Sequence, residues 1–193
     1  MPAPKIFQTR QLVLPQVSAR AIAPPAGGSV SSRQLGFTME QQQQTNWCWA
    51  AVSTSVSHYY QATSSWHQCS LANHELGQTS CCQDGSSSAC DQPHYLERGL
   101  SAVRHDGGNS SGPLSFSQVR SEIDAGRPVG CFIRWGSQAV GHFVVIEGYR
   151  QQGGIIRLNI EDSYYGASDY DFDDFRDRYQ NAGGSWQWTY FTR

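Results

Sequence analysis

The sequence predicts an α+β fold, with an N-terminal helical part packed on a C-terminal antiparallel sheet. Three observations predict it. Apolar residues recur at helical spacing over the segments 46–60 and 116–125. Past Gly126 and Pro128 the pattern gives way to apolar runs of strand length. Two of those runs are joined by the short turn Gln151–Gly154, so strands follow helices instead of alternating with them.

The elements follow in order. Residues 1–35 are rich in Pro, Ala, Ser and Gly, include Pro24-Pro25 and Gly27-Gly28, and carry no apolar period. Such a segment cannot offset the entropy of ordering and is expected to be a flexible tail, an export signal or a propeptide. The folded domain is expected over 36–193. A helix should begin near Asn46, capped by Thr45 or Asn46, with Cys48, Val52, Val56 and Tyr59 on one face. A short helix is expected at 71–76, then a cysteine-bearing loop over 77–93. A third helix runs over 116–125. Ser115 caps it with Gln118 completing a capping box, Phe116, Val119 and Ile123 face inward, and Gly126 and Pro128 end it. Strands are expected at 129–135, 141–149, 155–160 and 186–192.

Composition narrows the function. The chain has 193 residues, a formal charge of −2 and only 16% charged residues, so no basic surplus exists to hold nucleic acid or anionic lipid. No apolar run approaches the roughly 20 residues of a membrane span. The N-terminus lacks a basic patch followed by an apolar stretch, so secretion is expected by a route that reads no cleavable signal, as for an effector; otherwise the chain stays cytoplasmic. Cysteines 69, 81, 82 and 90 crowd a Ser/Gly-rich stretch and read as two disulfides. Neighbours Cys81 and Cys82 cannot easily bridge each other, which leaves two pairings open. Disulfides imply an oxidising destination. Cys131, inside a buried strand, is expected to stay a free thiol.

Cys48 lies in Asn46-Trp47-Cys48-Trp49-Ala50-Ala51, in the first turn of the expected helix. Free N–H groups and the positive end of the helix dipole favour a thiolate there, and the thiolate is the nucleophile. Position alone also fits a buried core cysteine, so the partner decides. His142 heads the apolar strand Gly141-His142-Phe143-Val144-Val145-Ile146. Its ring is placed at the sheet edge, where it can act as a base, with Gly141 leaving room for thiolate or substrate. Asp162 is expected to orient the imidazole: across a turn at 151–154, position 162 falls opposite about 143. The helix-start N–H of Cys48 and a side-chain amide from Gln41–Gln44 would form an oxyanion hole.

Read together, Gln…Asn-Trp-Cys-Trp-Ala-Ala, Gly-His-Phe-Val-Val-Ile and Asp-Ser-Tyr-Tyr-Gly resemble bacterial papain-like cysteine proteases. The chain is most similar to the avirulence-protein (effector) cysteine proteases, and more distantly to the bacteriocin-processing double-glycine peptidases. The resemblance covers about residues 37–192 and implies a papain-like fold and cysteine endopeptidase activity, with no cofactor. It implies Cys48 as nucleophile, His142 as base, Asp162 as orienting group and Gln42, six positions before the cysteine, as the oxyanion amide. Ser163 stands where many relatives have Pro, a departure that bears on loop rigidity. A protein or peptide substrate is implied, with a cognate inhibitor or immunity protein as a further partner. The same chemistry would serve a deubiquitinase, a peptidoglycan amidase or a transamidase. A zinc module drawing on His67, Cys69, Cys81, Cys82, Cys90 and His94 is the non-enzymatic alternative, although no Cys-x-x-Cys knuckle is present. Relatives process glycine-containing sites, so self-cleavage after Gly27 or Gly28 is expected, in a cleft walled by Trp47 and Trp49.

Overall fold

The structure, a computed structural model, describes residues 30–136 and 140–193. In chain order it contains β1 (Val30–Gln34), α1 (Cys48–Tyr60), α2 (Gln68–Leu76), α3 (Leu96–Ala102), β2 (Asp106–Ser111), α4 (Phe116–Asp124), β3 (Val129–Trp135), β4 (Val140–Gln152), β5 (Ile155–Asp162), β6 (Ser168–Asp171), α5 (Phe172–Arg178) and β7 (Gly184–Thr192). The sheet runs β2-β7-β3-β4-β5-β6, with β1 also paired to β4, and every pairing is antiparallel.

Both faces of the sheet are covered, which is why its central strands read as continuous apolar runs. On one face Phe132, Phe143, Val145 and Tyr190 meet Trp49, Val52 and Val56 of α1, Leu71 of α2 and Leu96 and Leu100 of α3. On the other, Val144, Ile146, Leu158, Ile160 and Trp186 meet Val119 and Ile123 of α4 and Phe175 of α5. Ser115 caps α4 as expected: its Oγ accepts from Gln118 N, and Gln118 Oε1 accepts from Ser115 N.

Strand β1 lies inside the segment that composition assigned to the tail. It pairs with Gly148–Gln152 of β4 through its backbone, while Val30 remains 54% exposed. Main-chain bonds hold it, and composition does not report those. The double glycine at 27–28 lies outside the described residues.

The β4–β5 hairpin sets the register of the site. Its turn is Gly153-Gly154, both with positive φ (57° and 84°), so Gln152 pairs with Ile155. Glu147 then bulges out of β4, so that Gly148 pairs with Asn159 but Ile146 with Ile160. Asp162 therefore pairs with Val144, not with Phe143. The parity matters. Residues opposed across a ladder share a face, and residues two apart on a strand share a face. Opposite Val144, Asp162 lies on His142's side of the sheet. An unbulged ladder from the same turn would set it opposite Val145, on the other side.

Candidate active site

Cys48 is the first residue of α1 and is 2% exposed. The expected caps serve elsewhere. Asn46 donates its backbone N–H to Asp91 Oδ1 (2.8 Å) and its amide to Asp91 O (3.0 Å), and Trp47 stands at the N-cap without a side-chain bond to the helix. The Trp47 side chain leaves the N-terminal N–H groups uncapped, and such groups are the usual donors to an anion at a helix start. Trp47 and Trp49 do not wall a cleft. They are 1% and 0% exposed, and their ring N–H groups donate to Cys90 O (2.7 Å) and Gln92 O (3.1 Å). Because the start of α1 is buried on every side, from Trp47 through Ser57, both rings are core, and they fasten the nucleophile's turn to the loop at 90–92.

His142 is 1% exposed. Its Nε2 donates to Asp162 Oδ1 at 2.7 Å, because an ionised carboxylate can only accept. Among the described residues its Nδ1 is buried without a hydrogen-bond partner, and the Cys48 thiol is near enough to act on the ring. Such a pair is close without being closed, as is common before substrate binds. Burial pulls the imidazole down, but the Asp162 carboxylate, the hydrogen bond to it and Cys48 outweigh burial and raise it from 6.5 to about 10. Asp162 is fully buried too. Burial pushes its carboxyl up, yet His142, with Tyr179 and the Tyr164 N–H, holds it below its ordinary value. Its Oδ1 also accepts from Tyr164 N (2.7 Å) and Tyr165 N (3.0 Å), and Oδ2 accepts from Tyr179 Oη (2.7 Å).

Gly141 does not leave room for substrate. A Cβ there would meet the Phe132 ring at 2.1 Å, on the sheet face opposite His142, so the glycine admits a core ring.

Gln42 is tied to the same loop as Asp162. Its backbone N–H donates to Ser163 O, and Ser163 Oγ donates to its Oε1, both at 3.0 Å. Ser163 thus links two segments of the site in addition to shaping its loop, and a proline would forfeit the hydroxyl bond. Gln42 Nε2 donates to Gln44 O and Thr45 O (both 2.9 Å), so its amide hydrogens are engaged in the turn that leads to Cys48.

Two residues escaped the sequence reading. Gln68, 1% exposed, grips the glutamine run. Its Oε1 accepts from Gln43 N (2.9 Å) and its Nε2 donates to Gln41 O (2.9 Å) and Glu40 Oε2 (3.0 Å), which brackets Gln42. Tyr179 holds Asp162. The signal for Gln68 was its place beside Cys69; nothing in the local pattern distinguished Tyr179.

The disulfides resolve as Cys69–Cys82 and Cys81–Cys90. They consume the sulfurs on which the zinc alternative drew, and His94 is bonded to Glu75 (3.0 Å). Cys48 and Cys131 are free thiols; burial pushes Cys131 well above the ordinary thiol range. A cavity of about 520 Å³ between the hairpin tip and α5, lined by Arg150, Ile155, Arg157 and Asp171, shares no residue with this site. Among the described residues no helix is long and apolar enough to cross a membrane.

The family model described as "Peptidase_C39 like family" matches residues 34–186. A structure from a study of antibody cross-reactivity between the mite allergens Blo t 1 and Der p 1 is similar, with a TM-score of 0.54 at 12% identity over 96% of this chain and 75% of that one. Digestive procathepsin L 3 of Tenebrio molitor larval midgut gives 0.52 at 13% identity, over 93% of this chain and 73% of that one. At these identities the likeness is one of fold. No curated protein matches the sequence.

Proposed function

The chain belongs to the Peptidase_C39 like family and is a cysteine protease of papain-like fold, and from that premise we propose that it is an endopeptidase working through Cys48, His142 and Asp162. The observation that carries the reading is a buried imidazole held by a buried carboxylate at Nε2, with Nδ1 unpartnered and the Cys48 thiol near enough to act on the ring. An imidazolium beside the sulfur favours the nucleophilic thiolate. The thiolate attacks the substrate carbonyl. The N–H of Cys48 stabilises the oxyanion, joined by Gln42 once one amide hydrogen is released from its turn. His142 then protonates the leaving amine from Nδ1 and, now neutral, takes a proton from water as water releases the acyl group.

The domain extends over 36–193 with β1 preceding it. Two disulfides support an oxidising destination, and the resemblance to effector proteases supports a secreted effector or toxin acting on a protein substrate. The test is Cys48→Ala. It should abolish proteolysis and labelling by an epoxide thiol inhibitor while the thermal unfolding transition persists, and His142→Ala should do nearly as much. Wild-type turnover by Cys48→Ala would sink the reading.

A further inference from the structure

Asp162 shows an asymmetry that the triad alone does not explain. Oδ1 takes three donors: His142 Nε2 and the backbone N–H groups of Tyr164 and Tyr165. Oδ2 takes one, the hydroxyl of Tyr179 at 2.7 Å. The carboxylate side chain is 0% exposed, so water cannot substitute for a lost donor. Without Tyr179, Oδ2 would be a charged oxygen buried without a partner, and the carboxylate would be free to turn about its Cβ–Cγ bond to share the donors on Oδ1.

The tyrosine is built to hold still. It follows α5, and its backbone N–H donates to Gly184 O at 2.7 Å in a β-bridge. Its ring packs against Tyr170 (5.1 Å between centroids), Phe175 (5.5 Å) and Trp135 (6.2 Å). Burial and the adjacent Asp162 push its hydroxyl well above the ordinary tyrosine range, so it remains a neutral donor. The His142–Asp162 pair comes entirely from the β4–β5 hairpin. Tyr179 brings a third, separate element to it.

We infer that Tyr179 is a positioning residue of the active site, whose hydroxyl fixes the plane of the Asp162 carboxylate and thereby aims His142. The inference rests on the triad reading. It predicts a cost in turnover rather than in substrate affinity, because Tyr179 lies behind Asp162 and does not reach substrate.

The test is Tyr179→Phe, which keeps the ring and its packing. Expected are a kcat lower by roughly tenfold to a hundredfold, the worth of a hydrogen bond to a charged group, an unchanged KM, and a displaced downfield proton resonance of His142 Nε2–H. In an Asp162→Ala background the same change should cost nothing further. A kcat within twofold of wild type, or the same proportional loss in both backgrounds, would overturn the inference while leaving the triad standing. Wild-type turnover by Asp162→Ala would remove the triad reading and the inference with it. Should the phenylalanine variant fail to fold, 3-fluorotyrosine in place of Tyr179 keeps ring and hydroxyl but donates more strongly. It should shift the His142 resonance, and an unmoved resonance would count against Tyr179.

Discussion

Consider the removal of a single amide that touches neither sulfur nor imidazole. Gln68→Ala deletes two bonds to the backbone on either side of Gln42 and one to the Glu40 carboxylate. At about 1 kcal/mol for each neutral bond and about 2 for the charge-assisted one, the upper figure is about 4 kcal/mol. Relaxation should reduce it, since Gln41 and Gln43 are exposed and water can replace their lost partner. With a urea m-value of about 2 kcal/mol/M, the unfolding midpoint should fall by up to about 2 M. Activity in the folded fraction should fall separately, because the turn that presents Gln42 loosens. That loss should not exceed the loss in Gln42→Ala, which is at most about 3 kcal/mol for one oxyanion donor. It should vanish in a Gln42→Ala background. The assay is kcat/KM on a fluorogenic peptide beside urea unfolding, for both single variants and the double. An unchanged midpoint, or a kcat loss that persists in the double variant, would refute the clamp. Alanine at Gln41, Gln43 or Gln44 should cost less turnover than at Gln42, and a larger loss at Gln43 or Gln44 would mean that the oxyanion role had been given to the wrong glutamine.

Removing either disulfide as a Cys→Ser pair should cost about 3 kcal/mol from the loop-closure argument, and non-reducing peptide mapping should recover Cys69–Cys82 and Cys81–Cys90 with Cys131 slow to alkylate. Stability should also depend on pH through the buried pair. His142 is raised from 6.5 to about 10, so its contribution is complete below pH 6.5 and is lost as pH climbs through 10; Asp162, depressed, contributes above its ordinary 3.8 and loses that contribution as pH falls below it. Chemical unfolding across pH 6–10 should show wild type weakening toward the alkaline end, with His142→Ala flat over the same range.

The readable parts of the fold were those whose side chains carry a period. Strand β3 fell on its expected residues, and α4 came with both partners of its capping box. Strand β2, Asp106–Ser111, has no apolar residue and exists because β7 offers it a ladder. β1, β6 and the short helices α3 and α5 were missed for a similar reason: tertiary pairing and packing hold them more than local pattern. In the site, residue chemistry pointed to Cys48, His142 and Asp162, because few side chains perform those roles, while the choice of Gln42 among four consecutive glutamines came from the family resemblance. The register was harder. The turn was expected to span 151–154, but it closes on Gly153-Gly154, and the Glu147 bulge then shifts the ladder by one. A polar residue in an apolar strand was the sole hint of that bulge. Supporting residues were illegible, since Gln68 and Tyr179 acquire meaning only from what lies across the fold.

Strand β1 constrains how the chain could ever cut itself. Val30 is fastened opposite Gln152, ten residues along β4 from His142, or about 33 Å at the usual strand rise. From Val30 back to Gly28 the chain reaches at most about 7 Å. While β1 is paired, a molecule cannot deliver its own double glycine to its own sulfur. Cleavage there would pass between molecules, with an initial rate rising as the square of protein concentration. A chain diluted far enough would keep its tail, and the first processed copies would come from crowded ones.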